Sequence, residues 1–187
     1  MVRGMTDDEK KERKVRYTGI DLALLAVVGV ISGIIFAGGW SIYYAVEAVA
    51  GPVGARLASY GLWFIGAPLA ATLIRKPLSA LLGETVGAFV ETLIAPAGGI
   101  TNIIYGVLQG AASELVYFAM RYKKWDSIAG ALSGLAAGPI AVALDALLFG
   151  DIGSSLEMSL WVIAAMASGA IYGFISSYAA KSIRRGK

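Results

Sequence analysis

Six stretches of this chain are apolar over lengths that cross a bilayer, and they leave little sequence for any other architecture. They run over about 18–37, 55–75, 77–95, 100–121, 127–148 and 156–183. Of the 187 residues, 57% are hydrophobic and 16% are charged, too few charges to solvate a water-soluble domain of this size. The expected fold is therefore an all-α integral membrane protein of six transmembrane helices. Residues 18–187 would form one domain, preceded by a charged tail over 1–17. That tail is dense in both signs of charge and holds no short apolar run ending at a small-residue cleavage site, so it reads as a solvated cytoplasmic segment.

The cations set an orientation. The tail carries Arg3, Lys10, Lys11, Arg13, Lys14 and Arg16, and the turn between the second and third stretches carries Arg75 and Lys76. Arg121, Lys123 and Lys124 follow the fourth stretch, and Lys181, Arg184, Arg185 and Lys187 close the chain. With six spans these all fall on one side, and Arg56 alone falls on the other. The positive-inside rule then places both termini in the cytoplasm. Pro77 would help to start the third helix, while Pro68 and Pro139 would kink the second and fifth.

Residue types that are missing exclude chemistry. The chain has no His and no Cys, hence no thiolate or imidazole metal site, no cysteine nucleophile and no Ser–His pair. Nickel or cobalt capture is disfavoured on the same ground. No Walker A sequence is present, so the chain is not expected to be an enzyme that hydrolyses ATP. No cofactor, metal or nucleic-acid partner is expected.

The polar residues inside the apolar stretches are the functional candidates. At about 100° per residue, Ala80, Glu84, Gly87, Ala88, Glu91 and Ala95 share one narrow arc of the third helix. Leu82, Val86, Phe89, Val90 and Leu93 lie opposite, on a face that suits lipid. On the fourth helix, Asn102, Gly106, Gln109, Gly110, Ser113, Glu114 and Tyr117 share another arc, and the two arcs are expected to face each other or a common cavity. An ionised acid in mid-membrane costs roughly 2.5–3.5 kcal/mol, and no cation in mid-span offsets it. Glu84 and Glu114 are either structural or substrate-binding. Glu91, about 10 Å further out than Glu84, is the better candidate for meeting a cation.

Trp40, Tyr43, Tyr44, Tyr60, Trp63 and Trp161 map to the outer half, either as an interfacial belt or as a cavity lining. The stretch between the first two spans (GGWSIYYAVEAVAGPVGAR) reads as a long Gly-rich loop able to fold over an outward cavity. Aromatic faces with a carboxylate and amides suit a flat cationic or amine-bearing heterocycle. The candidate substrate-binding set is Glu91, Gln109, Asn102, Trp63, Trp40, Tyr43, Trp161, Glu84 and Glu114. Small residues recur every fourth position at Gly29 and Gly33, at Gly130, Gly134 and Gly138, and at Ala165, Gly169, Gly173 and Ser177, which permits close helix approach.

Two blocks, YGLWFIGAPLAATLIRKPLSALLGETVGAFVETLI (60–94) and GVLQGAASELVYFAMRYKKW (106–125), closely resemble the YkoE-type S components of energy-coupling factor (ECF) transporters. The resemblance covers roughly 18–183. It implies a six-helix subunit in the plasma membrane of a prokaryote. Such a subunit captures thiamin or its hydroxymethylpyrimidine precursor outside and works with a transmembrane coupling (T) subunit and two cytoplasmic ATPases. It also implies docking of the T subunit on small residues of the first helix, where this chain offers Ala23, Ala26, Gly29 and Gly33 in place of the family's Ala-x-x-x-Ala. Two other readings stand beside it: an S component for a different vitamin, and a stand-alone proton-coupled carrier using Glu84, Glu91 and Glu114 as a relay.

Overall fold

A computed structural model describes residues 16–95 and 97–185. Most of the charged tail, and Lys187 at the other end, lie outside the described residues. Among those described the chain is helical, with α1 over Gly19–Ser59, a 3-10 turn at Tyr60–Phe64, α2 over Gly66–Ile74 and α3 over Ser79–Ile94. Then come α4 over Thr101–Ala119, α5 over Ser127–Leu144 with a π turn at Asp145–Phe149, and α6 over Ser155–Arg185. Three helical stretches, Gly19–Ile74, Ser127–Phe149 and Ser155–Arg184, are long and apolar enough to cross a membrane. Large apolar side chains point outward along them, among them Ile20, Val27 and Ile34 of α1 and Ile163, Ile171 and Ile175 of α6. A protein surface this greasy fits lipid rather than water.

The start of α1 is built from its own sequence. Thr18 caps it in a capping box with Asp21, and Asp21 also accepts from Lys76 Nζ at 2.6 Å. Tyr17 donates to the Pro77 carbonyl at 2.9 Å and Arg184 to the Leu73 carbonyl at 2.8 Å, so Arg16, Lys76 and Arg184 gather at one end of the bundle.

Two expectations about the half of the bundle away from Lys76 are corrected. The Gly-rich stretch after residue 37 is not a loop: α1 continues through it and breaks at Gly51, where φ is +66° immediately before Pro52. Gly38 and Gly39 do not stop the helix, because Gly39 is where the Trp63 ring packs; a Cβ there would sit 3.0–3.2 Å from that ring. The expected second span is also not one helix. The chain turns through the 3-10 segment and restarts at Gly66, which places Pro68 in the first turn of α2, where a missing N–H costs nothing.

Glycines set the helix spacing. A Cβ on Gly134 would lie 2.1 Å from the Gly169 carbonyl oxygen, and one on Gly173 would lie 2.3 Å from that of Gly130, so α5 and α6 touch backbone to backbone. Against α3, Gly29 meets Val86 and Gly33 meets Val90. Val86 and Val90 are therefore half-buried under α1 rather than on a lipid face, whereas Phe89 and Leu93 are exposed. Gly29 and Gly33 are buried for the same reason and cannot present a docking surface; Ala23 and Ala26 of the proposed set remain exposed.

Candidate functional site

The buried residues of α4 are Asn102, Gly106, Gln109, Gly110, Ser113, Glu114 and Tyr117, the arc read from the sequence. Those of α3 include Ala80, Glu84, Gly87, Ala88 and Glu91. The two faces approach through glycines, with Gly106 against Ala88 and Gly110 against Glu84 and Leu81. Away from the Lys76 end both faces line a cavity of about 480 Å³, a volume suited to a small organic molecule.

Each side of the cavity comes from a different element. The continued part of α1 supplies Phe36, Trp40, Tyr43, Tyr44 and Glu47, and the 3-10 turn supplies Tyr60, Trp63 and Phe64. Glu84, Ala88 and Glu91 come from α3, and Asn102, Tyr105, Gly106 and Gln109 from α4. Asp145, Phe149 and Asp151 close it from the π turn and the loop beyond.

Glu91 is the central polar group. Its Oε1 accepts from the indole N–H of Trp40 at 2.9 Å and of Trp63 at 3.0 Å, and the two rings meet edge to face at 5.2 Å. The carboxylate is 2% exposed and has no cation partner among the described residues. Two neutral donors orient Oε1 and supply no countercharge, so a ligand that brings a cation or a donor would complete the group.

A second carboxylate, Asp145, is held in a similar way by two phenols. Tyr105 donates to its Oδ1 at 2.8 Å, and Tyr60 donates to Oδ2. This acid, unlike Glu91, has a cation beside it: Arg56 lies 3.6 Å from Oδ2 and pairs closely with Asp151. Arg56 is fully buried, packed 4.1 Å from the Trp161 ring centroid and 5.3 Å from that of Tyr60. Of the five acids in the cavity lining, Arg56 pairs with Asp145 and Asp151, while Glu47, Glu84 and Glu91 have no cation partner among the described residues.

The other two candidate glutamates, Glu84 and Glu114, start helices. Leu78 and Ile65, the residues before α3 and α2, provide no side-chain cap. Glu114 takes the backbone N–H of Leu78 at 2.6 Å on one oxygen and those of Ala80 and Leu81 at 3.0 and 3.3 Å on the other. Glu84 Oε2 takes the N–H of Ala67 at 2.7 Å. Each carboxylate thus sits on the positive end of a helix it does not belong to. Glu84 and Glu114 do not form a network with each other.

Of the candidate binding residues, the structure brings Glu91, Gln109, Asn102, Trp63, Trp40, Tyr43 and Glu84 to the cavity wall. It does not bring Glu114, which is spent on the start of α3, or Trp161, which stands behind the wall against Arg56. Sequence reasoning did not assign Tyr105, Asp145, Glu47 or Asp151 to the site. Tyr105 had a signal, since it adjoins the polar arc of α4. Asp145 and Asp151 had none, because the residue that draws them in, Arg56, is some ninety positions away.

The helical fold with its acidic, aromatic cavity has the architecture of a solved transporter subunit, an S component. The chain superposes with a TM-score of 0.83 on a solved structure described as an S component of an ECF transporter, covering 90% of this chain and 86% of that one at 24% identity. A family model described as "ABC-type cobalt transport system, permease component" matches residues 20–140, and the chain belongs to that family. It is similar to YkoE of Bacillus subtilis (strain 168), named as an HMP/thiamine permease, with 30% identity over 115 residues. That match covers 62% of this chain and 57% of YkoE. The resemblance to YkoE-type S components read from the sequence is thereby borne out.

Proposed function

We propose that this chain is the substrate-capture subunit of an ATP-driven importer that takes thiamin, or its hydroxymethylpyrimidine precursor, from outside the cell. The observation that carries the reading is Glu91, a buried carboxylate fixed by two indole N–H groups in an aromatic cavity and left without a protein cation. A thiazolium or an amine-bearing pyrimidine supplies the missing charge or donor and stacks on the rings. The name carried by YkoE supports the same ligand class. The family's description mentions cobalt, but a chain without His or Cys lacks the ligands that hold cobalt best, and no group of three or more acids among the described residues could hold a metal ion.

In this reading residues 18–187 form one domain of six spans, α1 and the broken second segment counting as two, with the Arg16–Lys76–Arg184 end in the cytoplasm of a prokaryote. Turnover requires a T subunit and two ATPases, and Ala23 and Ala26 remain as the candidate docking residues. Calorimetry on the purified chain with thiamin, hydroxymethylpyrimidine and riboflavin tests the ligand. Heat from a pyrimidine compound and none from riboflavin is expected; no heat from either pyrimidine removes the assignment.

A further inference from the structure

The cations at the Lys76 end of the bundle are not held alike. Lys76 pairs with Asp21 at 2.6 Å. Its neighbour Arg75, and Arg184 of α6, have no acid partner among the described residues, yet they converge on one spot. Arg75 Nε donates to the Thr72 carbonyl at 3.3 Å and Arg184 Nη1 to the Leu73 carbonyl at 2.8 Å, consecutive groups near the end of α2. Partial burial, and then the charge of Arg184, push the Arg75 guanidinium below its usual pKa. Arg75 moreover ends α2 at φ +57°, a left-handed position that glycine commonly takes. Each guanidinium spends a single N–H on these carbonyls, and the rest of its fork has no partner among the described residues. Two such groups side by side offer charge and donors to an anion with several oxygens.

The surface that leads to this pair is apolar. α2 has nine residues and packs among α1, α3, α5 and α6. Only Leu69 and Leu73, about one turn apart, are partly exposed, and the other residues of α2 are buried. The Leu73 carbonyl is the one that Arg184 takes. We propose that the end of α2 binds an anionic phospholipid, with its phosphate on Arg75 and Arg184 and an acyl chain along Leu69 and Leu73. An apolar stripe ending in two guanidiniums matches the polarity of such a lipid from tail to headgroup. Inorganic phosphate supplies the charge without the apolar part, and a zwitterionic lipid brings a cation of its own to the arginines. Among the described residues of the cavity wall none belongs to α2, so this site stands apart from substrate capture.

The test is native mass spectrometry of the delipidated full chain, titrated with phosphatidylglycerol, phosphatidylcholine, glycerophosphoglycerol (the headgroup without chains) and inorganic phosphate. The wild type should bind phosphatidylglycerol about tenfold or more tightly than phosphatidylcholine, and neither water-soluble anion should compete in the same range. Arg75→Gln combined with Arg184→Gln should bring phosphatidylglycerol down to the phosphatidylcholine level. Arg75→Gln alone, which leaves the Arg184 contact to α2 in place, should lower the preference about threefold or more and serves if the double variant does not fold. Arg121→Gln, Lys123→Gln and Lys124→Gln together remove more charge, from the turn between α4 and α5, and should keep the preference. Equal binding of the two lipids by the wild type, or a preference that survives in the arginine variants, overturns the proposal. So does an equal loss in the α4–α5 variant, which would mean attraction by net charge alone. Competition by glycerophosphoglycerol or phosphate would mean a free-anion site and overturns it as well. A double variant that binds lipid like the wild type but no longer co-purifies with a coupling subunit assigns the pair to a protein partner instead.

Discussion

Replacing Glu114 by Ala removes the acceptor for three backbone N–H groups at once, those of Leu78, Ala80 and Leu81. Neither Leu78 nor Ser79 provides a side-chain cap in its place. Leu78 is moreover held at φ +69°, a left-handed conformation that a leucine keeps only when its surroundings enforce it. Loss of a helix cap costs about 0.5–2 kcal/mol, and each buried donor left without an acceptor costs about 1–3 kcal/mol. Allowing water to reach part of this half-open turn, the variant should lose about 2–4 kcal/mol. At roughly 2–4 °C per kcal/mol for a chain of this size, its melting temperature in detergent should fall by roughly 5–15 °C. Glu114→Gln should fare little better, since its NH2 must face at least one of the same N–H groups. Because Glu114 does not line the cavity, ligand affinity measured well below the melting temperature should stay within about twofold of wild type. A Glu114→Ala protein of normal stability that has lost more than tenfold in affinity would refute the capping argument and return Glu114 to the binding site.

Glu91→Gln keeps the shape and both indole contacts but removes the charge; affinity for a cationic pyrimidine ligand should drop by more than about tenfold in calorimetry, with little change in thermal stability. Gly33→Ala places a Cβ 2.6 Å from two Val90 carbons and 2.9 Å from the Gly87 carbonyl oxygen, so it should destabilise the fold by about 1–3 kcal/mol in a melting assay. Ala26→Leu, on the exposed face, should leave melting and ligand affinity unchanged while reducing co-purification with a coupling subunit; intact assembly would remove this face from the docking hypothesis. Arg56→Met strands two acids beside the cavity and should cost about 3 kcal/mol or more, with partial recovery in a double variant carrying Asp145→Asn.

Sequence alone served best where one residue's environment depends on its helical neighbours. The buried faces of α3 and α4 follow from the placing of small and polar residues at a period of 3.6, and the structure reproduces the α4 face residue for residue. Side-chain roles that depend on distant backbone were illegible. Nothing near Glu114 marks it as the cap of a helix that begins thirty-five positions earlier, and nothing near Arg56 points to Asp145 or Asp151. The glycines misled in a particular way. Gly29 and Gly33 do form a small-residue ridge, but a ridge cannot say from sequence whether it meets a neighbour in the same chain or another protein. Gly38 and Gly39 read as helix breakers because the packing partner of Gly39, Trp63, lies across a turn. The break itself waits until Gly51 and Pro52, where a positive φ and a ring combine.

The two helices that borrow their caps from elsewhere also constrain how the protein is made. As the chain emerges from the ribosome, the N–H groups opening α2 precede Glu84 by seventeen residues, and those opening α3 precede Glu114 by more than thirty. At the start of α2, where Ala67 is fully buried, a bilayer offers no water to such a group in the interval, and at the half-open start of α3 water replaces the carboxylate only in part. Neither helix start can therefore mature when it is synthesised; each waits for a carboxylate that arrives one helix later. Residues 60–119 should consequently acquire their native state as a unit, and a chain truncated between α3 and α4 should be recognised as incomplete by the cell's quality control although most of its apolar length is already in place.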